Sequence, residues 1–179
     1  MQVKIVKVGT LEENCYIIIN NGSCIVVDPG DDFFIIDSQI DTNKVVSVLI
    51  THSHKDHVGA LNRIVEKYHP IVYEFNNLEE KRYEIENFKF DVLFFPGHTE
   101  DSVGYYFYEY NFMFSGDFVF KNTIGRTDLP GGSQEAMNLS LKKLSTLNKR
   151  MKIYPGHGEP TYLYEELENN YYLKRVINW

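Results

Sequence analysis

The stretch THSHKDHVGA, Thr51 to Ala60, holds three histidines and an aspartate within six residues, directly after the apolar run VVSVLI. The chain has only six histidines, so half of them lie in this one segment. A continuous apolar run is typical of a strand that is buried on both faces. His52 and His54 lie two residues apart just past that strand, where an extended backbone points both side chains to the same side. Asp56 and His57 follow at the loop that opens the next predicted helix.

Three more polar residues follow other apolar strands, each beside a glycine. His98 comes after DVLFF in PGHTEDS, Asp117 after NFMF in SGDF, and His157 after MKIY in YPGHGEP. If these strands belong to two packed sheets, their ends converge on one edge. The residues that would meet there are His52, His54, Asp56, His57, His98, Asp117 and His157.

Imidazole and carboxylate groups are ligands of zinc, and also of iron and manganese. Seven such groups are too many for one tetrahedral ion. The pattern therefore predicts two divalent metal ions, zinc first and iron or manganese as alternatives, that lie about 3.5–4 Å apart and share one carboxylate.

The order of predicted elements favours an α/β fold. VKIVKVG, NCYIIIN and CIVVDPG are strand candidates separated by turn residues, which predicts an antiparallel meander. Ser133 is a good N-cap for a helix whose apolar stripe is Met137, Leu139, Leu141 and Leu144. MKIYPGHG is the last predicted strand, and EELENNYYLKRVI is a single last helix. This order predicts an αββα sandwich of two mixed β-sheets flanked by helices.

Length and composition are those of an ordinary globular protein. The 179 residues predict one domain, residues 1–179, of which 43% are hydrophobic. A net charge of −7 without a dense Lys/Arg block makes nucleic acid a poor partner. No apolar run reaches membrane-spanning length and no signal peptide is recognisable, so we expect no membrane partner and a cytoplasmic location. Cys15 and Cys24 are expected to be buried free thiols, although a cross-strand disulfide is geometrically possible.

Each candidate ligand also has an ordinary structural explanation. A single histidine at a strand end is usually a satisfied polar side chain, and Asp56 and Asp117 could cap a helix or a turn. The joint pattern favours metal binding, because five of the six histidines follow apolar strands and only His69 lies elsewhere, at a predicted surface position. Asp28 lies in the VVDPG segment, where an Asp-Pro-Gly sequence by itself predicts a turn.

Other polar residues near the motifs have two open interpretations. Thr51 and Ser102 could donate hydrogen bonds around the ligands, or they could be ordinary polar residues at strand ends. Arg126 could meet a substrate carboxylate, but pairing with Asp128 is the favoured interpretation.

The motif THSHKDH, followed by GH, GD and PGHG, resembles the signature H-x-H-x-D-H plus a later His, Asp and His of the metallo-β-lactamase fold hydrolases. The stretches GRTDLPGGS and GHGEPT resemble a short, single-domain subgroup of the glyoxalase II-like, or hydroxyacylglutathione hydrolase-like, branch. By this resemblance the first metal is held by His52, His54 and His98, the second by Asp56, His57 and His157, and Asp117 bridges them. The resemblance also suggests that Asp28 forms hydrogen bonds around the metal loop, and a simple turn is the alternative. Full glyoxalase II enzymes also carry a C-terminal helical domain that helps to bind glutathione, and this chain lacks it, so weak selection for glutathione is expected.

Two metals of this kind lower the pKa of a bridging water, so a hydroxide can attack without a Ser or Cys nucleophile. Asp56 would be the catalytic residue, because it could ligate one metal and also orient the hydroxide. A thiolate leaves with little protonation, whereas an amine needs a proton. The predicted substrates are therefore S-2-hydroxyacylglutathione or related small thioesters.

Several other functions fit the same motifs. They are a lactone or ester hydrolase, a sulfur dioxygenase with a single iron, and a non-catalytic metal-binding module. A β-lactamase is disfavoured by the missing export signal and, by resemblance, by the aspartate at position 117. The module is disfavoured because all seven ligands are present.

Overall fold

Two β-sheets lie face to face in the computed structural model, which describes residues 1–177. The strands of the first sheet are β1 (Gln2–Val8), β2 (Glu13–Asn20), β3 (Ser23–Val27), β4 (Lys44–Leu49) and β5 (Ile71–Tyr73). They are ordered β1-β2-β3-β4-β5. The first three pair antiparallel, which confirms the predicted meander, and β3, β4 and β5 run parallel.

The second sheet has a strand order that brings three strand ends together. Its strands are β6 (Arg82–Ile85), β7 (Phe88–Phe94), β8 (Val103–Phe107), β9 (Phe112–Gly116), β12 (Lys152–Pro155) and β13 (Thr161–Tyr162), and a separate hairpin is formed by β10 (Val119–Phe120) and β11 (Thr123–Ile124). The order is β13-β12-β9-β8-β7-β6. Both β7 and β9 are antiparallel to β8, and β12 is parallel to β9. The C-terminal ends of β7, β9 and β12 therefore lie at the same edge.

Helices cover the outer faces of both sheets. They are α1 (Phe33–Ile40), α2 (Lys55–Val58), α3 (Leu61–Tyr68), α4 (Gln134–Ser145), α5 (Leu163–Asn169) and α6 (Tyr171–Ile177). The sequence interpretation missed α1, because its first four residues are all apolar and hide the helical period. Phe33, Ile36 and Ile40 are buried at helical spacing, whereas the intervening Phe34 is exposed.

The C-terminal segment forms two helices, so the prediction of a single helix was wrong. Asn170 separates α5 from α6, and its side-chain oxygen accepts a hydrogen bond from the backbone N–H of Tyr172 at 3.1 Å. A side chain that accepts from the first turn starts a new helix, which explains the break.

Alternate residues of the central strands point into different layers. Ile17, Val26 and Val48 pack with α1 and α3 on the outer face of the first sheet. Their neighbours Ile18, Val27 and Leu49 pack between the two sheets, against aromatic residues such as Phe90 and Phe114. This alternation is the period of two expected of strands that are buried on both sides. The αββα sandwich predicted from the sequence is confirmed.

The outer helix α4 is capped as predicted by Ser133, whose hydroxyl accepts a hydrogen bond from the backbone N–H of Ala136 at 3.2 Å. Met137, Leu141 and Leu144 are buried, but Leu139 is 64% exposed, so its place in the apolar stripe was wrong. Positions 137, 141 and 144 share one helix face, and position 139 points to the opposite one.

The two cysteines are buried free thiols, as predicted. Cys24 pairs with Ile19 in the β2–β3 ladder. Cys15 lies four residues before Ile19 in β2, so the two cysteines are not opposite each other. Among the helices of residues 1–177, none is long and apolar enough to cross a membrane.

Candidate metal centre

The seven predicted ligands meet at the edge where the strands of both sheets end. His52 and His54 lie in the loop after β4, and Asp56 and His57 are in α2, which follows directly. The remaining three follow the ends of β7, β9 and β12 and are His98, Asp117 and His157.

Three imidazoles form the first group. The Nδ1 atom of His54 lies 3.1 Å from Nε2 of His52 and 3.0 Å from Nε2 of His98. These three nitrogens are close enough together to ligate one ion.

The second group combines two imidazoles and a carboxylate. Asp56 Oδ2 lies 3.3 Å from Nε2 of His157 and 3.9 Å from Nε2 of His57. This set could also hold one ion.

Asp117 lies between the two groups. Its Oδ1 is 3.3 Å from Nε2 of His57, and its Oδ2 is 3.7 Å from Nε2 of both His98 and His157. One carboxylate thus faces ligand atoms of both sets, which is the arrangement expected of a shared ligand.

Backbone carbonyls fix the orientation of two ligand histidines. Nδ1 of His98 donates to the carbonyl of Arg126 at 2.8 Å, and Nδ1 of His157 donates to the carbonyl of Leu11 at 3.1 Å. A carbonyl can only accept, so Nδ1 carries the proton in both rings. Their Nε2 atoms therefore present lone pairs to the centre, as metal ligation requires.

Asp28 and Thr51 orient the rings of His57 and His52, the other two histidines whose Nε2 atoms face the centre. Nδ1 of His57 donates to Oδ2 of Asp28 at 3.0 Å. The Thr51 hydroxyl donates to the same oxygen at 2.6 Å, so its own oxygen accepts from Nδ1 of His52 at 3.1 Å. The Thr51 backbone N–H also donates to Oδ1 of Asp28 at 2.7 Å. Asp28 and Thr51 therefore do more than form a turn, whereas the Ser102 hydroxyl forms hydrogen bonds with Thr99 in the turn after His98.

Two buried polar atoms of this centre lack a hydrogen-bond partner within residues 1–177. They are Nε2 of His57 and Oδ1 of Asp117. A buried polar atom without a partner is costly, and native proteins rarely leave one. Both atoms are acceptors facing the same space, so a divalent cation satisfies both, whereas a hydrogen bond between them needs a proton on one. The residues present fit a metal ion.

Burial lowers the pKa of two histidines of the first group, His52 and His54. Burial, together with His57, holds the pKa of His52 well below its usual range, and burial, together with His98, lowers the pKa of His54. Burial acts in the same direction on His57, but the carboxyl groups of Asp117 and Asp28 outweigh it and raise its pKa. Neutral imidazole is the form that binds a metal, so His52 and His54 are ready to ligate near neutral pH.

Glu13 is a buried carboxyl group behind the centre that the sequence analysis did not single out. It is 1% exposed, and its Oε1 lies 3.7 Å from Nδ1 of His57. Neither carboxyl oxygen has a hydrogen-bond partner in the described part of the chain. Burial, with a smaller contribution from Asp28, raises its pKa to about 10. Glu13 begins β2, and in an antiparallel meander the start of the second strand meets the end of the third, which is the signal that could have located it.

Arg126 pairs with Asp128 through two hydrogen bonds of 2.7 and 2.8 Å, as the favoured interpretation predicted. Its contribution to the centre is its backbone carbonyl. Gly156 has a closer role, because a Cβ atom there would lie 2.2 Å from Oδ1 of Asp117. Only glycine allows the strand end and the carboxylate to approach so closely.

The chain is similar to two curated proteins over nearly its whole length. It is 32% identical to the "Probable metallo-hydrolase YqgX" of Bacillus subtilis, across 93% of this chain and 94% of the relative. It is 28% identical to the "Hydroxyacylglutathione hydrolase GloC" of Haemophilus influenzae, across 97% and 98%.

Two solved structures have the same fold. The B3 metallo-beta-lactamase BLEG-1 superimposes with a TM-score of 0.92 at 27% identity, covering 96% of this chain and 99% of the other. TTHA1623 in a di-iron-bound form gives a TM-score of 0.88 at 31% identity, covering 94% and 99%.

The family pattern described as the Metallo-beta-lactamase superfamily matches residues 8–82 and 81–157, which is most of the chain. These matched residues include all seven of the converging candidate ligands. The chain belongs to the metallo-beta-lactamase superfamily.

Proposed function

We propose that this protein is a two-metal hydrolase of small thioesters, of the glyoxalase II type. The observation that carries the proposal is the pair of ligand groups that share Asp117. The superfamily and the named relatives support a metal-dependent hydrolase. The choice of thioesters as substrates is more specific than this, and the similarity to GloC favours it.

The residues divide into two ligand sets and a bridge. One ion would be held by His52, His54 and His98, the other by Asp56, His57 and His157, and Asp117 would be shared. Two bound divalent ions would supply an activated water and polarise the substrate carbonyl.

Asp56 has a second task beside ligation. Its side chain is 29% exposed and makes no hydrogen bond within residues 1–177, although Oδ2 faces His157. A carboxylate has two oxygens, so Oδ1 can accept a hydrogen bond from the attacking water while Oδ2 ligates. Asp56 thereby orients the water toward the carbonyl, and such positioning is a large part of catalysis.

The leaving group favours thioesters over amides. A thiol has a pKa of about 8.5, so the thiolate departs at neutral pH without receiving a proton. An amine leaving from an amide requires a general acid. His52 and His54 present lone pairs to the metal space, and the N–H of His52 faces Thr51, so neither ring can act as a general acid toward the leaving group.

Two neighbouring structures justify testing other chemistries at the same site. BLEG-1 is named a β-lactamase and TTHA1623 holds two irons. The reactions for comparison are therefore β-lactam hydrolysis, lactone or ester hydrolysis, and iron-dependent oxygen chemistry.

The test combines elemental analysis with a substrate panel. We expect close to two ions of zinc, iron or manganese per chain, and hydrolysis of thioesters at least about tenfold faster than of a matched lactone or a β-lactam. The variant Asp56→Asn tests the role of this carboxylate, and it should retain the fold and lose most of the hydrolysis. At most one tight metal combined with oxygen consumption would overturn the proposal in favour of a dioxygenase.

A further inference from the structure

A cleft with a volume of about 540 Å³ opens beside the first ligand group, at His54. Its wall is made of residues from four loops, which are Ser53, His54, Phe75, Asn76, Thr99, Glu100, Asp101, Pro130 and Gly131. A cleft of this size beside the reacting atoms can hold half of a small substrate.

The charges on this wall are negative. Glu100 and Asp101 lie in the loop that follows His98, and no lysine or arginine is among the residues that line the cleft. Neither carboxylate forms a salt bridge in the structure of residues 1–177, whereas Arg126, in the loop that continues to Pro130, is already paired with Asp128. The two charges of this wall are therefore not neutralised by a protein cation.

A smaller cavity, about 250 Å³, lies on the other side of the centre at Asp56. Its lining includes Lys55 and Gly30. A thioester of a short acid has a small acyl half and a larger thiol half, so the two cavities match the two halves with the thiol half beside Glu100 and Asp101.

Resting on the proposed thioesterase function, though not on glutathione as the thiol, we propose that Glu100 and Asp101 make the cleft select thioesters whose thiol half carries no negative charge. Glutathione, which has two carboxylates, is then a poor thiol half for this cleft. A carboxylate on the thiol half would face two like charges. Each like charge at a separation of roughly 6 Å in water weakens binding about threefold, so the pair gives about tenfold.

The test uses one short acyl group on three thiols of similar length. The thiols are 3-mercaptopropionate, 3-mercaptopropionamide and thiocholine, which carry a negative charge, no charge and a positive charge. We expect kcat/KM for the amide to exceed that for the carboxylate about tenfold, and thiocholine to equal or exceed the amide. At about 0.5 M salt the difference should shrink to about twofold, because exposed charges are screened.

The variant Glu100→Gln/Asp101→Asn should reduce the amide-to-carboxylate ratio to about twofold or less. The matched control is Asp41→Asn/Glu168→Gln, which removes two exposed carboxylates outside the cleft wall and gives the same change of net charge. The control should keep the wild-type ratio.

A binding measurement makes the result independent of catalysis. In a calorimetric titration of the metal-loaded protein, 3-(methylthio)propionamide should have a lower dissociation constant than 3-(methylthio)propionate. Equal kcat/KM for charged and uncharged thiols in the wild type, or a ratio that both double variants change alike, overturns the inference and leaves the thioesterase proposal standing. If the amide thioether binds more tightly than the carboxylate thioether but no thioester is hydrolysed, the thioesterase proposal is overturned and the charge selection is supported.

Discussion

The substitution Asp28→Asn tests whether the hydrogen bonds behind the ligands control metal binding. Asp28 accepts from three buried donors, which are the backbone N–H and the hydroxyl of Thr51 and Nδ1 of His57, at 2.7, 2.6 and 3.0 Å. An asparagine amide offers one oxygen and one NH2 group in the same space. In either orientation at least one donor would face the NH2 group.

The less costly orientation places the NH2 group where Oδ2 lies in the native chain. The Thr51 hydroxyl can rotate to accept, but the ring of His57 can adapt only by moving its proton from Nδ1 to Nε2. Nε2 is the atom that faces Asp117 and Asp56. A proton on that atom competes directly with the metal, so the second ligand group should be the one that is damaged.

The size of the effect follows from one lost hydrogen bond. A hydrogen bond to a charged group contributes about 1.5–3 kcal/mol, which corresponds to roughly 10–150-fold in an equilibrium constant. Loss of a partner that orients a ligand histidine typically reduces metal affinity about 10–100-fold. We therefore expect the second metal to bind about 10–100-fold more weakly in Asp28→Asn, while the first binds normally.

Thr51→Val is the matched comparison. It keeps the contact between Asp28 and His57 and removes the hydroxyl that accepts from Nδ1 of His52. It should therefore weaken the first ligand group instead. Elemental analysis after dialysis against graded chelator, and titration with cobalt(II) followed by its visible absorption, distinguish the two outcomes. Two metals bound by Asp28→Asn with wild-type affinity would refute the reasoning.

Further changes test other parts of the centre. Asp117→Ala removes the shared carboxylate, so elemental analysis should find both metals weakened together; loss of one alone would argue against a bridge. Gly156→Ala places a methyl group 2.2 Å from Asp117 Oδ1 and 2.6 Å from His57 Cε1. Thioester hydrolysis should fall at least about tenfold with an unchanged circular dichroism spectrum, and full activity would contradict the crowding. Burial raises the pKa of Cys24 to about 12 and that of Cys15 well above its usual value of 9.0. A thiol whose pKa is higher in the folded than in the unfolded protein stabilises the fold at any pH below its unfolded-state pKa. This contribution is lost as the pH rises through the folded-state pKa. At about pH 8.5 iodoacetamide should label neither thiol before unfolding, and alanine at either position should leave hydrolysis within about twofold; rapid native labelling would contradict this.

The layered fold could be predicted because the strand patterns are strong. All of the run VVSVLI except Ile50 lies in β4, and its Val48 and Leu49 face different layers, as a strand buried on both sides requires. The helix α1 was hidden because Phe34 and Ile35 are exposed although they are apolar. Composition cannot distinguish an exposed apolar residue from a buried one, and only the packing of the neighbouring layers does so.

The convergence of the seven candidate ligands could be predicted from strand ends, because parallel strands bring their C-terminal ends to one edge. The groups that orient the ligands could not be predicted in the same way. The carbonyls of Arg126 and Leu11 are backbone groups, so residue identity carries no signal for them. Glu13 was missed because a single acidic residue before a strand is usually exposed, and only the meander geometry buries it.

The orienting contacts come from four separate parts of the chain. His52 contacts Thr51 after β4, His57 contacts Asp28 after β3, and the other two rings contact carbonyls in the β1–β2 turn and in the loop after β11. Glu13 also makes an isolated bridge to His157, which ties the first sheet to the end of the second. A ligand set oriented in this way cannot exist before both sheets have packed together. Metal binding is therefore linked to folding of the whole sandwich, and the free energy of binding adds to its stability.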